Sequence, residues 1–129
     1  MPIMVKYAAP HITRDVYESI RQALDWDHHP PEGALLHVVA FDEAGGLESF
    51  DIWESQRHLD AYAADRLAGV LKDLGLPEAT PEHFEIAVAA ASPEMAQFVL
   101  PAFQQGSPAA FGSSESRSFQ PPHVPERPI

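Results

Sequence analysis

The stretch Gly33–Ser55, GALLHVVAFDEAGGLESFDIWES, decides the fold. Gly33 opens a strand over 34–42 that is apolar on both faces. Leu35, His37, Val39 and Phe41 share one face; Leu36, Val38 and Ala40 share the other. A strand of this kind needs a cover on each side. Glu43-Ala44-Gly45-Gly46 reads as a hairpin turn whose glycines supply positive φ, and Leu47–Trp53 as the returning strand. With Asp42 set opposite Leu47, Val38 falls opposite Asp51 and His37 opposite Ile52. His37 and Asp51 then point to opposite faces, and a bulge at the glycines would reverse this.

Working outward, Pro2–Ala8 alternates as a strand, with Ile3, Val5 and Tyr7 on one side. Thr13 is placed to cap a helix whose apolar stripe is Val16, Ile20, Ala23 and Leu24. That helix should end near Asp25–Asp27, before Pro30 and Pro31. Ser55 caps a second helix with a buried stripe of Leu59, Tyr62, Ala63, Arg66, Leu67, Val70, Leu71 and Leu74, stopped by Gly75 and Pro77. A last strand is expected over 83–91, with Phe84, Ile86 and Val88 on one face. Ser92-Pro93-Glu94 then starts a short helix. From Gly106 the chain turns Ser-, Pro- and Gly-rich and reads as a flexible tail. The expected division is a folded domain over 1–91, a short helix over 92–105 and the tail over 106–129.

The resulting order is β-α-β-β-α-β. Right-handed crossovers place both helices on one face of a four-stranded antiparallel sheet. The covered face is expected to hold Ile3, Val5, Tyr7, Leu35, Val39, Phe41, Phe50, Ile52, Phe84, Ile86 and Val88. The bare face would hold Met4, Leu36, Val38, Ala40, Trp53, Ala87 and Ala89. Such a face is too apolar for water, and a second copy of the chain would close it as a homodimer; the alternative is a monomer whose C-terminal segment covers it.

Composition narrows the function. A net charge of −11, with eight scattered Lys and Arg, argues against nucleic acid. No apolar run is long enough for a membrane span, and Met1–Tyr7 lacks the pattern of a signal peptide. Cysteine is absent, which removes disulfides and thiolate sites and fits a cytoplasmic address. No phosphate-cradling loop, dinucleotide fingerprint or nucleophile elbow is present, so no cofactor is expected.

The runs Gly33–Val38, Gly45-Gly46-Leu47 and Asp51-Ile52-Trp53-Glu54-Ser55 resemble the dimeric α+β-barrel superfamily. This is a ferredoxin-like group that includes antibiotic-biosynthesis-type monooxygenases. The resemblance covers roughly 1–91 and implies a pocket between sheet and helices. Haem-degrading members of the group use an Asn on the first strand, a Trp in the second helix and a His beyond it. The corresponding positions here carry no Asn, Tyr62 and Lys72, which disfavours that subgroup.

The candidate site follows. His37, a lone imidazole in an apolar strand, and Tyr62 are the candidate catalytic residues. Tyr7, Trp53, Asp51 and Arg66 are the candidate substrate-binding residues. Lys6, Asp51 and Glu85 would form a charged cluster on the dimer side. Asp25-Trp26-Asp27-His28-His29 gathers potential metal ligands, but adjacent ligands on a loop do not close a tetrahedral site without a fourth group, which His11, His83 or a partner's side chain could supply; no metal is the first expectation, and a metal-dependent enzyme using this loop is a third reading. The functional expectation is a cofactor-independent monooxygenase or isomerase acting on an aromatic or hydrophobic metabolite. The alternative is a dimer that binds a ligand or partner without catalysis.

Overall fold

A computed structural model describes residues 1–104. The tail expected over 106–129 lies outside the described residues. The chain divides into two compact units, Met1–Ala90 and a second that begins at Ala91.

The first unit runs β1 (Ile3–Ala9), α1 (Arg14–Leu24), β2 (Ala34–Phe41), β3 (Leu47–Trp53), α2 (Gln56–Tyr62), a π-helical segment (Ala63–Leu67), α3 (Ala68–Asp73) and β4 (Glu82–Glu85). The strands form one antiparallel sheet in the order β2-β3-β1-β4. This is the expected ferredoxin-like α+β arrangement. In the second unit, Ser92 caps a 3₁₀ turn over Pro93–Phe98 by accepting from the Glu94 N–H, and α4 follows over Pro101–Gln104.

The hairpin corrects the expected register. Asp42 pairs with Gly46 through Asp42 N–H to Gly46 O at 2.9 Å, and its carboxylate accepts from the Gly46 N–H at 2.9 Å. Gly45 sits at φ +92°, a conformation that glycine adopts without strain. Phe41 therefore faces Leu47, and each pair as far as Leu36 and Ile52 shifts by one, so that His37 faces Asp51. A one-residue shift turns each β3 side chain to the other face of the expected arrangement. Leu47, Ser49, Asp51 and Trp53 are buried, while Phe50 and Ile52 move to the bare face. A bulge between Ala34 and Leu36 leaves Leu35 as the extra residue, 48% exposed instead of covered.

The last strand is also shorter than expected. Antiparallel pairing brings Glu82 opposite Lys6 and Glu85 opposite Ile3. The next partner would be Pro2, which has no N–H to give. Ile86 and Val88 consequently lie beyond the strand, and Val88 is 85% exposed. Phe84 belongs to the bare face with Met4. The expected Lys6–Asp51–Glu85 cluster does not form, because Lys6 pairs with Glu48 at 3.7 Å and Asp51 faces the helices.

The core consists of Val5, Ile12, Ile20, Leu24, Trp26, Leu47, Trp53, Leu59, Tyr62 and Leu71. Ser55 caps α2 by accepting the His58 N–H, as its position predicts, whereas the Thr13 side chain makes no capping bond. The second helix is not continuous. The Ala68 N–H reaches back five residues to Ala63 O, inserting a wider turn after Tyr62. That turn displaces the expected stripe, and Leu74 ends 42% exposed.

Candidate active site

Helix α1 presents Tyr17, Ile20, Arg21 and Leu24 along one face, the spacing of an inward stripe. The helix stops at Asp25, which takes the left-handed conformation (φ 56°, ψ 44°) and donates its N–H to Arg21 O. Asp is among the residues that tolerate this region. The turn carries Trp26 inward, where it is 3% exposed. Asp25 then holds the loop from its two carboxylate oxygens, bonded to His28 Nδ1 at 2.7 Å and His29 Nδ1 at 2.8 Å. Those contacts hold its carboxyl below the usual range, the His28 bond contributing most. Asp27 makes a two-point contact with Arg21 at 2.9 and 2.7 Å. Among the described residues no group of three His, Asp or Glu side chains is placed to hold a metal ion.

Between α1, the second helix and the sheet lies a cavity of about 140 Å³. Its floor is the covered sheet face: Tyr7 from β1, His37 and Val39 from β2, Ser49 and Asp51 from β3. Tyr17, Trp26, Tyr62 and Leu71 form walls, and His11 and Pro77–Thr80 lie at its margin.

A hydrogen-bond chain crosses this floor. His37 Nδ1 lies 2.7 Å from Asp51 Oδ1, and His37 Nε2 lies 3.3 Å from the Tyr17 hydroxyl. Asp51 is 3% exposed. A buried carboxylate so close to Nδ1 assigns the proton to that nitrogen and leaves the lone pair on Nε2, with Tyr17 O–H donating to it. Trp26 stacks on the imidazole at 4.2 Å and 21°. Its indole N–H donates to the Tyr62 hydroxyl at 3.2 Å, and Tyr62 in turn packs on Trp53 at 5.0 Å.

All three tyrosines are held in the neutral form. Burial pushes the Tyr7 phenol up to about 12, with the nearby Asp51 charge adding to it. Burial does the same to Tyr17, also to about 12, against a smaller opposing pull from Arg21. Tyr62 is raised as well, mainly by burial, despite the Trp26 hydrogen bond.

Four of the expected site residues meet at the cavity: Tyr7, His37, Asp51 and Tyr62. The expected separation of His37 from Asp51 is reversed by the hairpin register. Trp53 is fully buried behind Tyr62 and does not line the cavity, and its indole N–H has no partner among the described residues. Arg66 does not line it either. Its guanidinium donates to the Leu24 carbonyl and ties the π-helical segment to the end of α1. Sequence reasoning passed over Tyr17, Trp26 and Ser49. Tyr17 stands three and four residues before Ile20 and Arg21, and Trp26 is a large apolar residue among charged neighbours, which needs burial somewhere.

No family profile matches the chain, and no curated protein matches it. Solved structures do. A protein of unknown function from Nitrosomonas europaea, NE2512, superposes with a TM-score of 0.52 at 16% identity, over 70% of this chain and 92% of its own. Rv0793 from Mycobacterium tuberculosis gives 0.50 at 17% identity, over 70% of this chain and all of its own. SnoaB from Streptomyces nogalater, a cofactor-independent oxygenase, gives 0.48 as its N63A mutant at 14% identity, over 71% and 96%. Other neighbours are candidate antibiotic-biosynthesis monooxygenases. At these identities the likeness is one of fold.

Proposed function

We propose, from the premise of a ferredoxin-like α+β fold that encloses a cavity between sheet and helices, that this protein is a small-molecule enzyme. His37 acts as general base on an aromatic or hydrophobic substrate. The observation that carries this reading is the Asp51–His37–Tyr17 chain on the floor of an aromatic-walled cavity. Asp51 orients the ring and stabilises the imidazolium that forms, the role a buried carboxylate plays beside a catalytic histidine. Nε2 takes a proton from a carbon beside a carbonyl, or from a phenol, and the electron pair moves onto the substrate oxygen. The Tyr17 bond at 3.3 Å is long and gives way to a ligand. Aromatic walls from Trp26 and Tyr62 flank the base and leave it only partly exposed.

Two outcomes follow from the same carbanion. Return of the proton at another carbon gives an isomerase. Addition of dissolved dioxygen gives a hydroperoxide, which loses water to leave a new carbonyl, and that is a cofactor-independent monooxygenase. The first test needs neither product. Phenylacetone has one ring and acidic hydrogens beside its carbonyl, and their exchange with heavy water is followed by NMR. The wild type should accelerate exchange and His37→Ala should abolish that acceleration. Binding with equal exchange in both proteins would leave a binder without catalysis.

The sheet face away from the helices is apolar. Met4, Leu36, Val38, Phe50, Ile52 and Phe84 share it by register, and Val38 and Phe84 are 39% and 43% exposed. A second copy of the chain packed there would form a homodimer, and an apolar face of this kind supports that reading. Sedimentation velocity distinguishes monomer from dimer. No helix among the described residues is long and apolar enough to cross a membrane.

A further inference from the structure

Two hydroxyls on the cavity floor have no hydrogen-bond partner among the described residues. Tyr7 and Ser49 face each other across β1 and β3 on the covered side, and both line the cavity. Ser49 is 5% exposed. Neither side chain has a hydrogen bond to any described residue, although every other polar residue on this floor is engaged. Neither oxygen is among the fully enclosed unpartnered atoms, so both open onto the cavity, where the oxygen of an entering ligand can accept from the two O–H groups. The two hydroxyls differ from the histidine row in chemistry. Both are donors held neutral, whereas His37 offers a lone pair.

Their position relative to the base is fixed by the sheet. Tyr7, Ser49 and Val39 form one cross-strand row; Val5, Asp51 and His37 form the next row on the same face. Rows on one face lie about 7 Å apart, two residues along a strand. A carbonyl oxygen held at the first row by contacts of about 3 Å leaves the carbon beside it within reach of a base in the second row. The cavity's size limits the rest of the molecule. About 140 Å³ is close to the roughly 150 Å³ of an engineered apolar cavity that accepts benzene, so one ring fits within it.

We propose that Tyr7 and Ser49 form an oxygen-holding site, and that the substrate class is a one-ring aromatic compound with a carbonyl adjacent to an acidic C–H bond. This rests on the assignment of His37 as base. On proton removal the C–H bond breaks, the proton goes to Nε2 and the electron pair comes to rest on the held oxygen. The two O–H groups donate more strongly to that enolate oxygen than to the ketone, which is the condition for lowering a barrier.

The test uses two probes that differ by one atom group, phenylacetone and propylbenzene, titrated calorimetrically into the full-length protein. The wild type should bind the ketone about tenfold more tightly, the size expected of two hydrogen bonds made in place of bonds to water. The double variant Tyr7→Phe/Ser49→Ala should bind both probes equally, with its affinity for propylbenzene unchanged. Each single variant should lose part of the preference, and Ser49→Thr, which keeps a hydroxyl, should retain it. A preference that survives in the double variant, or none in the wild type, overturns the oxygen-holding site. The base is read separately: His37→Ala should end heavy-water exchange yet keep the ketone preference. Exchange that depends on His37 without any ketone preference would sink the oxygen site alone. A ketone preference without exchange would sink the base alone.

Discussion

Asp51 and His37 are cross-strand neighbours on β3 and β2, joined Oδ1 to Nδ1 at 2.7 Å on the covered face of the sheet. Both are polar, and the apolar residues around them make the bond a structural as well as a chemical necessity. Asp51→Asn keeps the shape and changes which ring nitrogen carries the proton. It should lower exchange catalysis by about a hundredfold or more, in keeping with general-base contributions of about 10²–10⁴. Asp51→Ala should in addition cost about 1–3 kcal/mol in a urea melt, because Nδ1 loses its buried acceptor. An Asn variant with undiminished exchange would remove Asp51 from the site.

Tyr62 should prove structural. Its hydroxyl accepts from Trp26, and its ring lies between Trp26 and Trp53. Tyr62→Phe should destabilise the fold by about 1 kcal/mol through the lost hydrogen bond while exchange continues. A stable Phe variant that no longer catalyses exchange would move Tyr62 into the chemistry.

Alkaline pH should unfold the protein through its phenols. The chain has three tyrosines, and each is raised by burial; Tyr7 and Tyr17 reach about 12. The unfolded chain releases these protons near the ordinary value of about 10, so between the two values the folded state binds more protons. Stability from this source is complete below pH ~10 and is lost as pH rises toward about 12. Phenolate absorbance should therefore appear together with the loss of helical circular dichroism. Phenolate absorbance that rises around pH 10 in a still-folded protein would contradict it.

Gly33 tolerates no side chain. It sits at φ +84°, and a Cβ there would lie 2.3 Å from the His58 ring, which is itself held by Ser55 at 2.8 Å. Gly33→Ala should lower stability by about 1–3 kcal/mol in a thermal melt. A variant as stable as the wild type would show that the Gly33–His58 contact is soft.

The bare face predicts its own reversal. Val38→Glu and Phe84→Lys place charge on two exposed large apolar positions there. In sedimentation both should run as monomers with intact circular dichroism. Dimers in both variants would put the contact elsewhere.

The fold was legible because its signals are local. The alternation of Ile3, Val5 and Tyr7, the Ser55 cap and the Gly45-Gly46 turn each act within a few residues, and together they give the β-α-β-β-α-β order. Tyr7, His37, Asp51 and Tyr62 stood out by chemistry and do meet at one cavity. The face of β3 was not legible. Whether Asp42 pairs with Gly46 or Leu47 is a choice between two turns of nearly equal sequence preference, and it decides the side of Ser49, Asp51 and Trp53. Trp26 was hidden for another reason. Only the left-handed turn at Asp25 brings it inward, and nothing nearby in sequence announces that turn. Arg66 was misplaced because the π-helical segment breaks the helical spacing that assigned it.

Glu43, Ala44 and Gly45 touch no part of the cavity, yet the length of their loop fixes which side of the sheet the Asp51 carboxylate occupies. A surface loop elsewhere absorbs an inserted residue at small cost. Here a single insertion that slipped one strand against the other would act as a frameshift in three dimensions: every side chain intact, the carboxylate and the ring turned apart, and the chemistry gone without one functional residue having been changed.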